Sequence, residues 1–467
     1  MNNLPYNIYD KDSIVQYAKK LIDKNLETIC PNIITSKQKN KGGFGQLLEE
    51  HYFLYKPNSD SEPDFKEVGL ELKSSPIKKL KRLQYVSKER LVLNIINYNN
   101  VVNQTFNTSS FWKKNERLLL VFYLYEKEKS VLEYNIEIVD IWAFSKIDLE
   151  IIKNDWEIIN TKIKSGKAHE LSEGDTLYLA ASTKGSRGGN LREQPFNKTK
   201  AKQRAYSLKR GYVNHIIATL AESNKHNYGR IIPSLSSLHK QTFEEMILSK
   251  FTKYYNRYTC EIEELLNTTF NSSVKNYAAS ISKSILGFEL NEKIEEFSKA
   301  EITLKTIRLN EKNLPKEQIS FPAFKFTDII KESWDNTSIK NYLEHKFLFI
   351  FFKYKNKQLY LSKAKFWNMP YKDLLEVKKV WNQTKKVIKN GDIIKEIKID
   401  KNGKEKRLTN FPNKTENKVA HIRPHGQNAN DVYPLPFKEI YFNKKEYTKQ
   451  CFWLNNDYIR DNVYLKD

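Results

Sequence analysis

The chain has 467 residues, 39% of them hydrophobic and 13% aromatic, which excludes a disordered basic tail and leaves room for more than one core. Lysine and arginine number 79 against 56 aspartates and glutamates, a formal +23 that points to a polyanionic partner, nucleic acid first; an AT-rich genome that inflates Lys, Asn and Ile is the bland alternative. Three scattered cysteines, Cys30, Cys260 and Cys451, exclude a disulfide framework and a Cys-x-x-Cys metal knuckle, and neither an export signal nor a membrane span is expected, so the expected location is the cytoplasm.

In "DKDSIVQYAKKLIDKNL" an Asp or Ser cap precedes Ile14, Tyr17, Ala18, Leu21 and Ile22 at helical spacing, which predicts a first helix. After the turn at "KGGFG", the stretch "QLLEEHYFLYK" predicts a second, with Glu49 behind two leucines. The period then changes to two. In "EVGLELK", Val68, Leu70 and Leu72 fall on one face of a predicted strand, and Gly69, Glu71 and Lys73 on the other. "RLVLNIINY", "RLLLVFYLYEK" and "YNIEIVDIWAF" continue as strands, and "DLEIIKNDWEIINTKIKSG" is an amphipathic helix closed by Gly166. From about Val213 to Ser298 the pattern is polar and helical, strongest in "TFEEMILSKFTKYYNRYTCEIEELL", and reads as a helical connector.

The strand and helix alternation then returns. "IWAFSKIDLEIIKNDWEIINTKIKSG" aligns without a gap to "FWNMPYKDLLEVKKVWNQTKKVIKNG", pairing Trp142 with Trp367, Asp148 with Asp373, Trp156 with Trp381 and Gly166 with Gly391. Only seven tryptophans occur in the chain, so this agreement favours an internal duplication over coincidence. "ERLLLVFYLYEK" matches "HKFLFIFFKYKN", "ASTKGSRGGN" matches "IRPHGQNAND", and "AYSLKRGY" matches "CFWLNNDY", so that Tyr206 pairs with Phe452 and Tyr212 with Tyr458. The paired tryptophans are expected as core anchors rather than base-stacking platforms.

Hydrolysing a phosphodiester calls for a metal that polarises the phosphate and activates water, and hard Mg²⁺ prefers one or two carboxylates with open water positions. Asp64, Glu71 and Lys73 form a PD…(D/E)xK pattern that supplies this: two carboxylates, and a lysine two residues on to steady developing charge. Glu49 from the preceding helix adds a third acid. Alone the pattern is weak, because acid-x-Lys recurs by chance, as in Glu396-Ile397-Lys398, and a solvated strand face explains it as well.

Context comes from resemblance. "KGGFGQLLEEHYF", "EPDFKEVGLELKSSP" and "TSSFWKKNERLLLVFY" resemble the MutH family of GATC endonucleases. The double length, with "SKERLVLNIINY", "GKAHELSEG", "AHIRPH" and "FWLNNDYI", resembles the family's Sau-three-AI type of restriction endonuclease. The resemblance implies a mixed α/β chain with two tandem copies of a restriction-endonuclease-like domain: a catalytic domain over 1–220, the connector over 221–298 and a degenerate, DNA-binding regulatory domain over 299–467. It implies a Mg²⁺-dependent type II restriction endonuclease that cuts double-stranded GATC before the G. The family's active-site acids, also its metal ligands, match Glu49, Asp64 and Glu71; its catalytic lysine matches Lys73, and a further functional lysine falls at Lys114.

For DNA reading, the family's Arg-Pro-Lys loop is matched in the first half by "STKG", with Lys184 and the nearby Arg187 as candidates, while "SLKRGY" offers Tyr206, Ser207, Lys209 and Arg210. In the second half "LELK" is replaced by "ITLK", with Thr303 where Glu71 stands and Lys305 retained, so no cutting is expected there. "HIRPHG" keeps His421, Arg423 and His425 as DNA-binding candidates, since Arg makes bidentate guanine or phosphate contacts. A metal site at the two histidines lacks a completing Cys or acidic pair.

One active site per chain cannot cut both strands of a palindrome in one pose, so monomers that dimerise on the DNA are expected. A GATC methyltransferase is the expected genetic partner. The rivals are a MutH-like mismatch-repair nickase and a duplex-binding protein without catalysis. The first is disfavoured by the double length, the second by the intact Asp64, Glu71 and Lys73.

Overall fold

The computed structural model describes residues 4–31, 43–57, 61–80, 84–185, 190–221, 228–399, 401, 403 and 405–466. The chain divides into two units, Met1–Phe243 with Lys293–Glu301, and Glu244–Glu292 with Ile302–Asp467. The stretch expected as a connector is thus shared: its helices Thr259–Leu266 and Tyr277–Leu286 lie within the second unit, and the helix Glu295–Ala300 within the first. No helix of the described residues is long and apolar enough to cross a membrane.

In the first unit, α1 (Lys11–Lys19) is capped by the Asp10 side chain and buries Ile14, Val15 and Ala18. The expected second helix is two pieces: α2 (Gly43–Leu47) runs directly into a π-helical turn, Leu48–Tyr52. The main sheet has the order β2-β1-β4-β5, with β1 at Glu71–Lys79, β2 at Tyr85–Ser87, β4 at Arg117–Leu124 and β5 at Ile136–Ala143. β1 runs parallel to β4, with Glu71 opposite Leu118, and β4 runs antiparallel to β5, with Leu118 opposite Trp142. Every residue from Leu118 to Tyr123 is buried, the continuous apolar run of a strand covered on both faces. On one face Leu119 and Val121 pack with Ile14, Ala18, Phe44, Leu48 and Leu72.

The expected strand "EVGLELK" begins later than its alternation suggests. Residues 66–69 form a turn in which Gly69 takes φ +63°, and Glu71 opens the strand at 1% exposure. The expected solvated face is therefore not there: Glu71 pairs with β4 and is buried with Leu70 and Leu72 beside it.

A second sheet, β3-β9-β6, is built from Leu91–Ile95, Arg204–Leu208 and Leu179–Thr183, with Tyr206 opposite Ala181. Between β6 and β9 a hairpin projects, β7 (Leu191–Gln194) and β8 (Asn197–Lys202). α3 (Ser110–Asn115) precedes β4, and α4 (Lys146–Lys164) buries Ile152, Trp156, Ile159 and Ile163. Asp155 on α4, fully buried, accepts the backbone N–H groups of Leu177, Tyr178 and Leu179 at 2.7, 2.6 and 2.9 Å and so fixes the entry to β6. α5 (Arg210–Leu220) follows β9, and its Tyr212 donates to Asp148 Oδ2 at 3.1 Å. Lys299, on the returning helix Glu295–Ala300, reaches Asp148 Oδ1 at 3.0 Å and Glu295 Oε1 at 2.8 Å. The backbones meet so closely there that a Cβ at Gly211 would sit 2.1 Å from the Ser298 carbonyl oxygen.

The second unit has β10 (Thr303–Leu309) parallel to β12 (Phe347–Lys355), which runs antiparallel to β13 (Gln358–Trp367). Thr303 stands opposite Phe347 and Phe347 opposite Trp367. α6 (Tyr371–Asn390) ends at Gly391, φ +71°, and its Asp373 accepts the Tyr458 hydroxyl at 2.9 Å. In the sheet of β11 (Ile319–Ser320), β15 (Gln450–Leu454) and β14 (Ala420–Pro424), Phe452 lies opposite Ile422. Trp142, Trp156, Trp367 and Trp381 are all buried, as core anchors would be.

Candidate active site

The turn before β1 folds back so that Asp64 and Glu71 hold each other in place. The Asp64 backbone N–H donates to Glu71 Oε2 at 3.1 Å, and Asp64 Oδ2 accepts the Leu72 N–H at 2.9 Å. Two residues along the strand, Lys73 projects on the side of Glu71, with Nζ 2.5 Å from Glu71 Oε1. Lys114, in the last turn of α3, brings its Nζ to 3.6 Å from the same oxygen. Glu49 comes from the π-helical turn.

The electrostatics draw these five groups into one constellation. Burial pushes the Glu71 carboxyl up to about 7; Lys73 and Lys114 pull it down, and Asp64 adds to the rise. The Glu49 carboxyl is also pushed up to about 7, by burial first and then by the Asp64 charge, against the pull of Lys73 and Lys114. Sequence reasoning missed a sixth group. The Tyr55 hydroxyl is buried without a hydrogen-bond partner among the described residues, and its ionisation is opposed by burial and then by Asp64, Glu49 and Glu71. In "HYFLYK" nothing distinguished it from a helix hydrophobe.

The constellation borders a cleft of about 790 Å³ whose walls include Glu49, Lys73, Asn94, Lys114 and Lys184. Lys184 is therefore on the same cleft as Glu49, Lys73 and Lys114, while Arg187 lies outside the described residues. Tyr206 borders the cleft with its ring buried 4.9 Å from that of Phe111. Ser207 and Lys209, expected as groove or phosphate contacts, are interior. Ser207 Oγ bonds Ser182 Oγ at 2.9 Å, and Lys209 donates to the Thr176 carbonyl at 2.7 Å while stabilising the Asp155 carboxylate. Arg210 is exposed, with a long contact of 3.5 Å to the Ser87 carbonyl.

In the second unit His421 is buried, its Nδ1 donating to Asn455 Oδ1 at 2.6 Å, and burial holds its pKa down. Arg423 and His425 instead flank Trp453. The guanidinium lies 5.3 Å from the Trp453 ring and is hydrogen-bonded to Gln318, and the imidazole lies 5.5 Å from that ring.

Among the described residues no three His, Cys, Asp or Glu side chains make a ready-formed metal cage. The donor chemistry nonetheless suits a hard divalent ion. Such an ion keeps several waters and takes one or two carboxylates, and here the buried Glu71 and half-buried Glu49 carboxyls, both raised to about 7, stand beside Asp64, a repulsion that a cation relieves.

The family model for the DNA mismatch repair enzyme MutH matches residues 53–155, the stretch that carries Asp64, Glu71, Lys73 and Lys114. MutH mismatch repair proteins of Buchnera aphidicola and Vibrio parahaemolyticus are 30% and 33% identical to 30% and 34% of this chain, which cover 62% and 68% of their own lengths. The type II restriction enzyme Sau3AI of Staphylococcus aureus is 37% identical over 97% of this chain and 98% of its own length. With that likeness running from end to end, the chain belongs to the Sau3AI-type, MutH-like family of restriction endonucleases.

Proposed function

We propose that this protein is a type II restriction endonuclease that recognises double-stranded GATC and cleaves before the G with Mg²⁺, protecting its host from foreign DNA in the cytoplasm. The observation that carries the reading is the buried Glu71, paired with Lys73 and Lys114 beside Asp64, where Lys73, Lys114 and Glu49 line a cleft. Asp64, Glu71 and Glu49 would hold the ion. When bound, Mg²⁺ polarises the scissile phosphate and makes water a stronger nucleophile at neutral pH. Lys73 steadies the charge that develops on the phosphate and orients the attacking water, and Lys114, near the same Glu71 oxygen, supplies a second cation. Lys184 binds the DNA across the cleft.

We assign catalysis to the first unit and read the second as a decayed copy of it. Two matches support this. The register Thr303–Phe347–Trp367 repeats Glu71–Leu118–Trp142, and the bond Tyr458–Asp373 repeats Tyr212–Asp148. A threonine in the place of Glu71 removes a metal carboxylate, while exposed Arg423 and His425 suit a DNA-binding, allosteric role. Monomers are expected to pair on the palindrome, and a GATC methyltransferase to protect the host's own sites.

Incubation of unmethylated plasmid with the protein and Mg²⁺, followed by sequencing of the ends, tests the reading; ends at any other sequence would remove the specificity. The metal has its own test. A divalent ion competes with protons at Glu49 and Glu71, so its apparent affinity is expected to rise as pH increases through about 7. Calorimetric titration at several pH values reads this, and an affinity flat across that range speaks against these ligands.

A further inference from the structure

We propose that the hairpin β7–β8 is a second DNA-gripping element, which holds the duplex outside the recognised sequence with lysines on phosphates and Phe196 against the groove. The inference rests on the restriction reading above. From Leu191 to Lys202 the hairpin carries Arg192, Lys198, Lys200 and Lys202 against the single acid Glu193. The three lysines alternate along β8 and so share one face, while Ala201 on the other face is buried.

Phe196 is the unusual member. Gln194 pairs with Asn197, so Pro195 and Phe196 form a two-residue turn in which Phe196 takes φ +63°, the sign that favours glycine. A phenylalanine there is disfavoured by its backbone and, at 77% exposure, gains nothing from packing. Stability does not account for it, and a local rule broken without a structural gain marks a working position.

The tip is also firmly held. Asn197 Nδ2 donates to the Gly166 carbonyl at 2.8 Å, and Gln194 Oε1 accepts the Ala168 N–H at 2.8 Å. A Cβ at Gly166 would lie 2.9 Å from the Phe196 carbonyl oxygen, so the turn is seated on the end of α4. At the root of the hairpin the Lys184 N–H donates to the Gln203 carbonyl at 2.9 Å, which ties this arm to a lysine lining the cleft. The arrangement recurs in the second unit. Gly391 at the end of α6 accepts the Ile440 N–H at 2.9 Å, and there Phe437, Ile440 and Tyr441 stand 55%, 62% and 71% exposed.

The test compares wild type, Phe196→Gly and the double variant Lys198→Ala/Lys200→Ala. Affinity is measured in Ca²⁺ for duplexes of about 12 and about 30 base pairs, each with one central GATC. Because glycine suits the turn, Phe196→Gly is expected to melt at or above the wild-type temperature. Both variants are expected to bind the short duplex within about twofold of wild type and the long one roughly tenfold more weakly, and the lysine pair to lower the salt slope by roughly two. Equal losses on both lengths, or no loss on either, would overturn the proposal; the second result would leave the exposed tip to a protein partner. Wild-type cleavage at GATC stands or falls separately, so a failure here is distinguishable from a failure of the restriction reading.

Discussion

Protein carrying Lys73→Met is expected to cut a GATC plasmid roughly a thousandfold more slowly than wild type, with duplex affinity changed by no more than about threefold. Two effects combine. The ammonium that steadies the phosphate is lost, and Glu71, buried to 1% exposure, loses the strongest influence that keeps it ionised. Its carboxyl, already raised to about 7, then moves further up and carries a proton at neutral pH, where it cannot take a metal. The residual rate should therefore climb with pH more steeply than that of wild type. Affinity survives because phosphate contacts elsewhere supply most of it. Cutting by Lys73→Met near the wild-type rate, with single-turnover kinetics as the measurement, would remove Lys73 from the active site.

Asp155→Ala is expected to have the largest effect on stability, about 3 kcal/mol or more, because it leaves three interior N–H groups, those of Leu177, Tyr178 and Leu179, without an acceptor. It also strips Lys209, itself buried, of a nearby negative charge. Urea denaturation reads the change. Asp155→Asn, which keeps the volume and one carbonyl acceptor, should fall between the two. A shift below about 1 kcal/mol for the alanine variant would show that the entry to β6 is held by other contacts.

The likeness between the two halves was legible because tryptophan is scarce: Trp142 and Trp367, aligned in the sequence, sit at matching register opposite Leu118 and Phe347. The acids Asp64 and Glu71 were legible as a motif, but the burial of Glu71 was not. Period-two alternation reports a half-covered strand, whereas Glu71 at the head of β1 is enclosed by the Asp64 turn and the Lys73 and Lys114 side chains. Glu49 was placed on a helix, and the π-helical turn that carries it left no local mark in "QLLEEHYFLYK". Lys209 was misleading for a related reason. In "SLKRGY" it reads as surface charge, yet the carbonyl it serves belongs to Thr176, 33 positions earlier in the chain, where no short window reaches.

Lys299 and its helix complete the first unit from beyond a stretch, Glu244–Glu292, that belongs to the second. During synthesis, then, most of the first unit emerges before the cation that pairs with Asp148 has been made. Some fifty further residues must leave the ribosome before Lys299 arrives to close the structure. The same crossing bears on dissection of the protein. A fragment ended at Phe243 keeps Asp64, Glu71 and Lys73 but leaves Asp148 without its ion pair, whereas one carried through Glu301 keeps both. The ion pair that completes the first unit is thus made only after a stretch of the second has been translated.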